Sequence, residues 1–193
     1  MQKYSSSFIG SFKTGDNIAY NLEVLSRLHK QYKKMSKEDK KYIIKPMLLT
    51  MASIIEAIMY DFRYRAKNFT REGVDSLTDE IINDMRDGKK DELDKLIAMY
   101  EKHNLFMQVP KFYEDLREIK NFRNRIHIQN TKNYKPLREI ELFTTDNLKV
   151  TAFYLEYIVR FMAINHSRNK NFVEDFKLPW KALLKESDIE KIV

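Results

Sequence analysis

The chain has no cysteine among its 193 residues, which excludes disulfides, zinc–thiolate centres and cysteine nucleophiles and fits a reducing compartment. Glycine and proline are scarce, four of each, leaving little turn chemistry for a β-rich fold. No run of eighteen apolar residues occurs, and the opening MQKYSSSFIGSFK lacks the continuous apolar segment of a signal peptide. A cytoplasmic protein that does not engage a membrane is expected. Gly-rich phosphate loops, nucleophile elbows, zinc spacings and internal repeats are also missing, which removes most enzyme classes that a sequence can announce.

What is there points to a helical globule. Hydrophobic residues make up 43% and aromatics 12%, too much for a disordered chain, and Lys, Glu, Leu and Ile dominate between Pro and Gly. The expected fold is all-α, a helical bundle with an antiparallel long-helix core and peripheral short helices, formed by residues 1–193 as a single domain. The net charge of +7 attracts a polyanion such as RNA or DNA without specifying it. No cofactor and no metal are expected; His103, for one, has neither a carboxylate nor a second histidine at metal-ligand spacing.

In chain order, a Ser-rich arm is expected to dock through Phe8 and Phe12, with Asp16 as N-cap of a helix to about Met35 striped by Ile18, Leu22, Leu25 and Leu28. His29 lies one residue beyond that stripe and reads as surface. Ser36 and Asp39 have the spacing of a capping box, and Pro46 should interrupt the helix they start. From Met47 to about Lys67 the chain is apolar around much of its circumference, so this helix should be central. Residues 68–104 read as a peripheral insertion of two short helices, the place for partner or substrate specificity. The last long helix, capped at Thr145 or Asp146, should run to about Asn165, with Tyr154, Tyr157 and Phe161 widening its apolar surface toward a subunit interface. Residues 168–193 are expected to form a docking tail anchored by Trp180.

The stretch Pro110–Asn130, PKFYEDLREIKNFRNRIHIQN, carries its charges in unusual places. Projected as a helix opened by Pro110, it puts Phe112, Leu116, Ile119, Phe122 and Ile126 on one arc and turns Arg125 away. Arg123 falls inside the apolar arc and His127 borders it. A guanidinium there must meet a carboxylate, snorkel to an edge, or open onto an anion-binding cleft. Asp61 projects beside Ile54 and Ile58 and is a candidate partner, with a surface pair to Arg65, four residues on, as the equal alternative, whereas Glu56 falls on the opposite side. Without a metal, an Arg/His pair suits phosphodiester chemistry: arginine stabilises phosphate charge, histidine titrates near neutrality, and RNA brings its own nucleophile.

The wording F-R-N-R-I-H-I resembles the HEPN family, small all-helical proteins whose signature is an arginine, usually followed by Asn or another polar residue, and then a histidine near the end of a long helix. Arg123, Asn124 and His127 match in type, order and helix position; three residues separate Arg123 from His127, where the family pattern has four to six. MASIIEAIMYDFRYR also looks like the preceding helix in several HEPN groups. The resemblance implies a metal-independent endoribonuclease whose arginine and histidine come from both protomers of a symmetric dimer, acting as a toxin or in phage defence. Its expected site has Arg123 and His127 as catalytic residues with Asn124 orienting phosphate, Lys120, Asn130 and Lys132 binding substrate, and Asp61 in support. RNA, a second copy of the chain and an antitoxin or regulatory protein are the expected partners. Two other readings stand beside it: a non-catalytic HEPN-like module holding nucleotide, RNA or a protein, and an interaction protein whose Arg123 pairs with Asp61 for structure alone.

Overall fold

The computed structural model describes residues 2–68, 74–87, 92–106, 111–127 and 138–184. The described residues form an all-α helical bundle with one small sheet: β1 (Gln2–Tyr4), α1 (Phe12–Lys34), α2 (Lys37–Asn68), α3 (Asp79–Arg86), α4 (Leu93–Lys102), α5 (Phe112–Asn124), α6 (Glu139–Leu142), α7 (Thr145–Asn165) and β2 (Phe176–Leu178). Two residues join α1 to α2, so the pair is an antiparallel hairpin. At that turn the Ser36 hydroxyl accepts the Asp39 N–H at 3.1 Å and donates to its carboxylate at 2.8 Å. α1 begins earlier than Asp16, because the Ser11 hydroxyl caps it through the Thr14 N–H.

α2 packs against α1, α5 and α7 at the centre of the molecule. It runs without a break through Pro46, contrary to the interruption expected there. A proline forfeits one backbone hydrogen bond, about 3 kcal/mol in a bare helix. Here Met47, Leu48, Met51, Ala52, Ile54, Ile55, Ile58 and Met59 are all buried on the far side of it, and that burial outweighs the loss. By length and composition α2 is the one helix among the described residues that could cross a membrane, and 56% of its most apolar window is buried inside the protein. α3 and α4 bury Ile82, Met85, Leu96, Ile97 and Tyr100 in the same core, where the Tyr100 hydroxyl donates to the Met59 carbonyl at 2.5 Å.

Tyr154, Tyr157 and Phe161 do not form a subunit surface; all three are buried. Phe112 of α5 packs edge-on against Tyr154 and tilted against Tyr157, and the Tyr157 hydroxyl reaches the Phe106 carbonyl at 2.7 Å. Helical projection of α7 alone cannot reveal this, because the partners come from the chain that precedes and opens α5.

Two buried carboxylates fasten the ends of the chain to the helices. Asp61 accepts the Gly10 N–H at 2.6 Å and the Ser11 N–H at 3.1 Å, with the stem of Arg65 so close that a Cβ on Gly10 would meet it at 3.1 Å. Glu156, fully buried in α7, accepts the Tyr4 hydroxyl at 2.9 Å, the Trp180 indole N–H at 3.1 Å and the Leu183 N–H at 3.0 Å. β1 and β2 pair antiparallel, Lys3 opposite Lys177, beside that clasp. Phe8 is buried in the arm, while Phe12, expected to dock with it, is 64% exposed at the first turn of α1.

Candidate functional site at the end of α5

α5 buries Phe112, Leu116, Ile119 and Phe122, the face expected of it. It stops at Asn124, before the histidine of the motif. Arg125 and Ile126 follow in a tight turn, their N–H groups bonding to the carbonyls of Phe122 and Arg123 at 3.1 and 3.2 Å. Past that point the helical projection no longer applies. Arg125, expected outside, is carried into the core, and Ile126, expected inside, is 60% exposed. His127 sits beyond the helix end and is exposed.

Arg123 occupies the last turn of α5, at the rim of the core. Its Nε lies 3.0 Å from Oε2 of Glu56, with the arginine side chain 46% exposed and the glutamate 21%. The candidate partnership with Asp61 is therefore wrong, and so is the placement of Glu56 on the opposite side of α2. Asp61 is committed to the Gly10 and Ser11 amides. Burial raises its pKa, against the lowering effect of those amides and of Arg65 and Arg168. The most apolar arc of α2 is not the one facing α5, because α2 packs against five helices at once.

Glu56, Lys120, Arg123 and Asn124 line an open groove of about 520 Å³ together with Glu92, Leu93 and Asp94 at the start of α4. Lys120 is held by Asp94 at 2.7 Å, so both cations on the wall are pre-paired. Three carboxylates face two cations here, and the groove is polar without being strongly positive. Asn130 and Lys132, expected to bind substrate, lie outside the described residues, as does Pro110. The structure thus brings Arg123, Asn124 and Lys120 to one groove with His127 following in the same chain turn.

Sequence reasoning missed two further groupings. His103, read as an isolated loop residue, meets Asp84 of α3 at 2.7 Å through Nε2, with Lys102 on the same carboxylate at 3.1 Å. His29, read as surface, lines an apolar cavity of about 540 Å³ between α1, α2 and α7, its ring edge-on to Trp180. Burial, and then Lys33, lower its pKa. Neither grouping has a local signature, since each forms between different helices. Among the described residues no group of three or more His, Asp or Glu could hold a metal ion. Compared with protein-family models, curated proteins and solved structures, the chain matches none of them.

Proposed function

We propose that the chain is a metal-independent endoribonuclease of HEPN type, cytoplasmic and acting in toxin or antiviral defence, with Arg123 and His127 as its catalytic residues. The observation that carries this reading is that Arg123, Asn124 and His127 follow closely at the end of α5, Arg123 and His127 exposed, beside an open polar groove. Glu56 restrains the guanidinium through Nε while nearly half of the arginine side chain stays in solvent, so a phosphate can be met by a side chain already oriented. In the reaction the RNA 2′-hydroxyl attacks the adjacent phosphorus and the 5′-oxygen leaves, giving a 2′,3′-cyclic phosphate and a 5′-hydroxyl end. His127 takes the proton of the attacking hydroxyl or gives one to the leaving oxygen, and Arg123 stabilises the charge that builds on the phosphoryl oxygens. A symmetric dimer supplies the second histidine for the other proton transfer, and exposed Ile126 beside His127 offers apolar surface for that contact. An antitoxin or other regulatory protein is the partner such an activity calls for.

The test is cleavage of mixed RNA in excess EDTA by wild type, Arg123→Ala and His127→Ala. Cleavage by wild type alone, leaving 2′,3′-cyclic phosphate ends, is expected. Full activity in His127→Ala would overturn the assignment. The motif spacing favours a second reading, a non-catalytic nucleotide-, RNA- or protein-binding module, because three residues rather than four to six separate Arg123 from His127. That reading predicts RNA affinity that falls with Arg123→Glu and no cleavage by folded, dimeric protein.

A further inference from the structure

Glu56, Tyr60 and Tyr64 follow one another at four-residue steps along α2, so they share a side of the helix and rise about 6 Å per step. Glu56 is the residue that holds Arg123. Moving from that pair toward the C-terminal end of α2, the next side chain on the same stripe is Tyr60 and the one after is Tyr64, followed three residues later by exposed Lys67. Each tyrosine is 38% exposed although both sit on the central helix of the bundle. Their rings are stacked, centroids 6.2 Å apart and planes inclined by 23°. Among the described residues, the helices that pack on α2 lie to either side of this stripe. Tyr100 of α4 and Met85 of α3 contact α2 at Met59 and Arg63 on one flank, and α1 meets it at Ser53, Ile54 and Ala57 on the other.

Two co-facing aromatic rings, bracketed by an arginine and a lysine, match the chemistry of an unpaired nucleic-acid strand. The rings offer π-faces to bases and the cations meet the phosphates on either side of them. A duplex hides its base faces in its own stack and has no use for such rings. We infer that Tyr60 and Tyr64 form a base-stacking platform that seats single-stranded RNA with a backbone phosphate at Arg123. The platform rests on the reading of Arg123 as a phosphate contact and adds the substrate class: unpaired strand, with little preference among bases, since every base has a π-face. The Arg123–Glu56 pair lies one helical turn from the first ring, so the phosphodiester presented to Arg123 is the one next to the seated bases.

The experiment is fluorescence anisotropy with the full-length protein and a short labelled polyuridine strand, the matching duplex, and a strand of equal length whose central sugars are abasic. Stacking predicts that Tyr60→Ala and Tyr64→Ala each weaken single-strand binding about 5- to 150-fold, and that Tyr60→Phe binds as wild type. It also predicts that the abasic strand and the duplex bind weakly even to wild type. If the alanine variants bind as wild type while Arg123→Ala is weakened, the platform falls and the phosphate reading survives. If the alanine variants are weakened and Arg123→Ala is not, the platform stands and the assignment of Arg123 falls. Equal binding of abasic and intact strands overturns stacking, and no binding of any strand overturns both.

Discussion

Asp61 and Glu156 in the core, and Glu56 and Arg123 at the end of α5, are built from the same side-chain chemistry and end in opposite situations. The two core carboxylates are almost completely out of solvent and spend their acceptor oxygens on groups that have no alternative: the Gly10, Ser11 and Leu183 amides, an indole N–H and a phenol. The Glu56–Arg123 pair stands at the rim, where water competes for both partners. Deep burial turns a charge into a fastener, because a buried donor deprived of its acceptor has nowhere else to go. Rim exposure leaves a charge free to change partners, which is what recognition of a phosphate requires.

The largest consequence belongs to Glu156. Glu156→Ala strips the acceptor from Tyr4, Trp180 and Leu183 at once and leaves Arg160, 3.7 Å away, without its carboxylate. A loss of about 3–5 kcal/mol is expected in urea unfolding, the range for breaking a buried charged contact. A loss below about 1 kcal/mol, the scale of a rim pair, would erase the contrast drawn between core and rim.

Asp61 sharpens the comparison through pH. In the unfolded chain an aspartate titrates near pH 3.8, and burial raises the folded value above that. Its contribution to stability is therefore full below pH 3.8 and is lost as pH rises through the folded value. Asp61→Asn, which cannot titrate, should match wild type at acid pH and gain on it as pH rises toward neutrality. Asp61→Ala, which abandons the two amides, should cost about 1–3 kcal/mol at acid pH and less as pH rises through the folded value. Wild type gaining on the asparagine variant with rising pH would mean that the amides, Arg65 and Arg168 outweigh burial.

The fold was legible wherever one helix carries its own pattern. The stripe of α5, the Ser36 turn, the end of α7 at Asn165 and the all-helical class all follow from spacing within a segment. What spacing within a segment cannot fix is which neighbour a face meets. Tyr154 looked like surface because its partner Phe112 lies forty-two residues earlier, and Asp61 looked like a partner for Arg123 because its claimants, the Gly10 and Ser11 amides, belong to an arm with no pattern of its own. The site was legible in residue type and only partly in geometry. Arg123, Asn124 and His127 could be singled out, but the stop at Asn124 exchanges the expected places of Arg125 and Ile126, and no cap residue announces it: Arg125 stands there, with no glycine to mark the end.

The smallest expected effect is the most informative about function. A thermodynamic cycle of Glu56→Gln and Arg123→Met, measured by urea unfolding, should give a coupling of only about 0.2–1 kcal/mol, because an ion pair this open to solvent gains little from Coulomb attraction. A coupling of several kcal/mol would place the pair among the fasteners and make any loss of RNA binding in Arg123 variants a loss of fold. With a small coupling, Arg123→Ala remains folded and its effect on RNA reads the chemistry of the guanidinium itself. Glu56→Gln then adds a directional check. By removing the competing carboxylate charge it should tighten phosphate binding at Arg123 if Glu56 mainly compensates the charge, and weaken it if Glu56 mainly orients the fork.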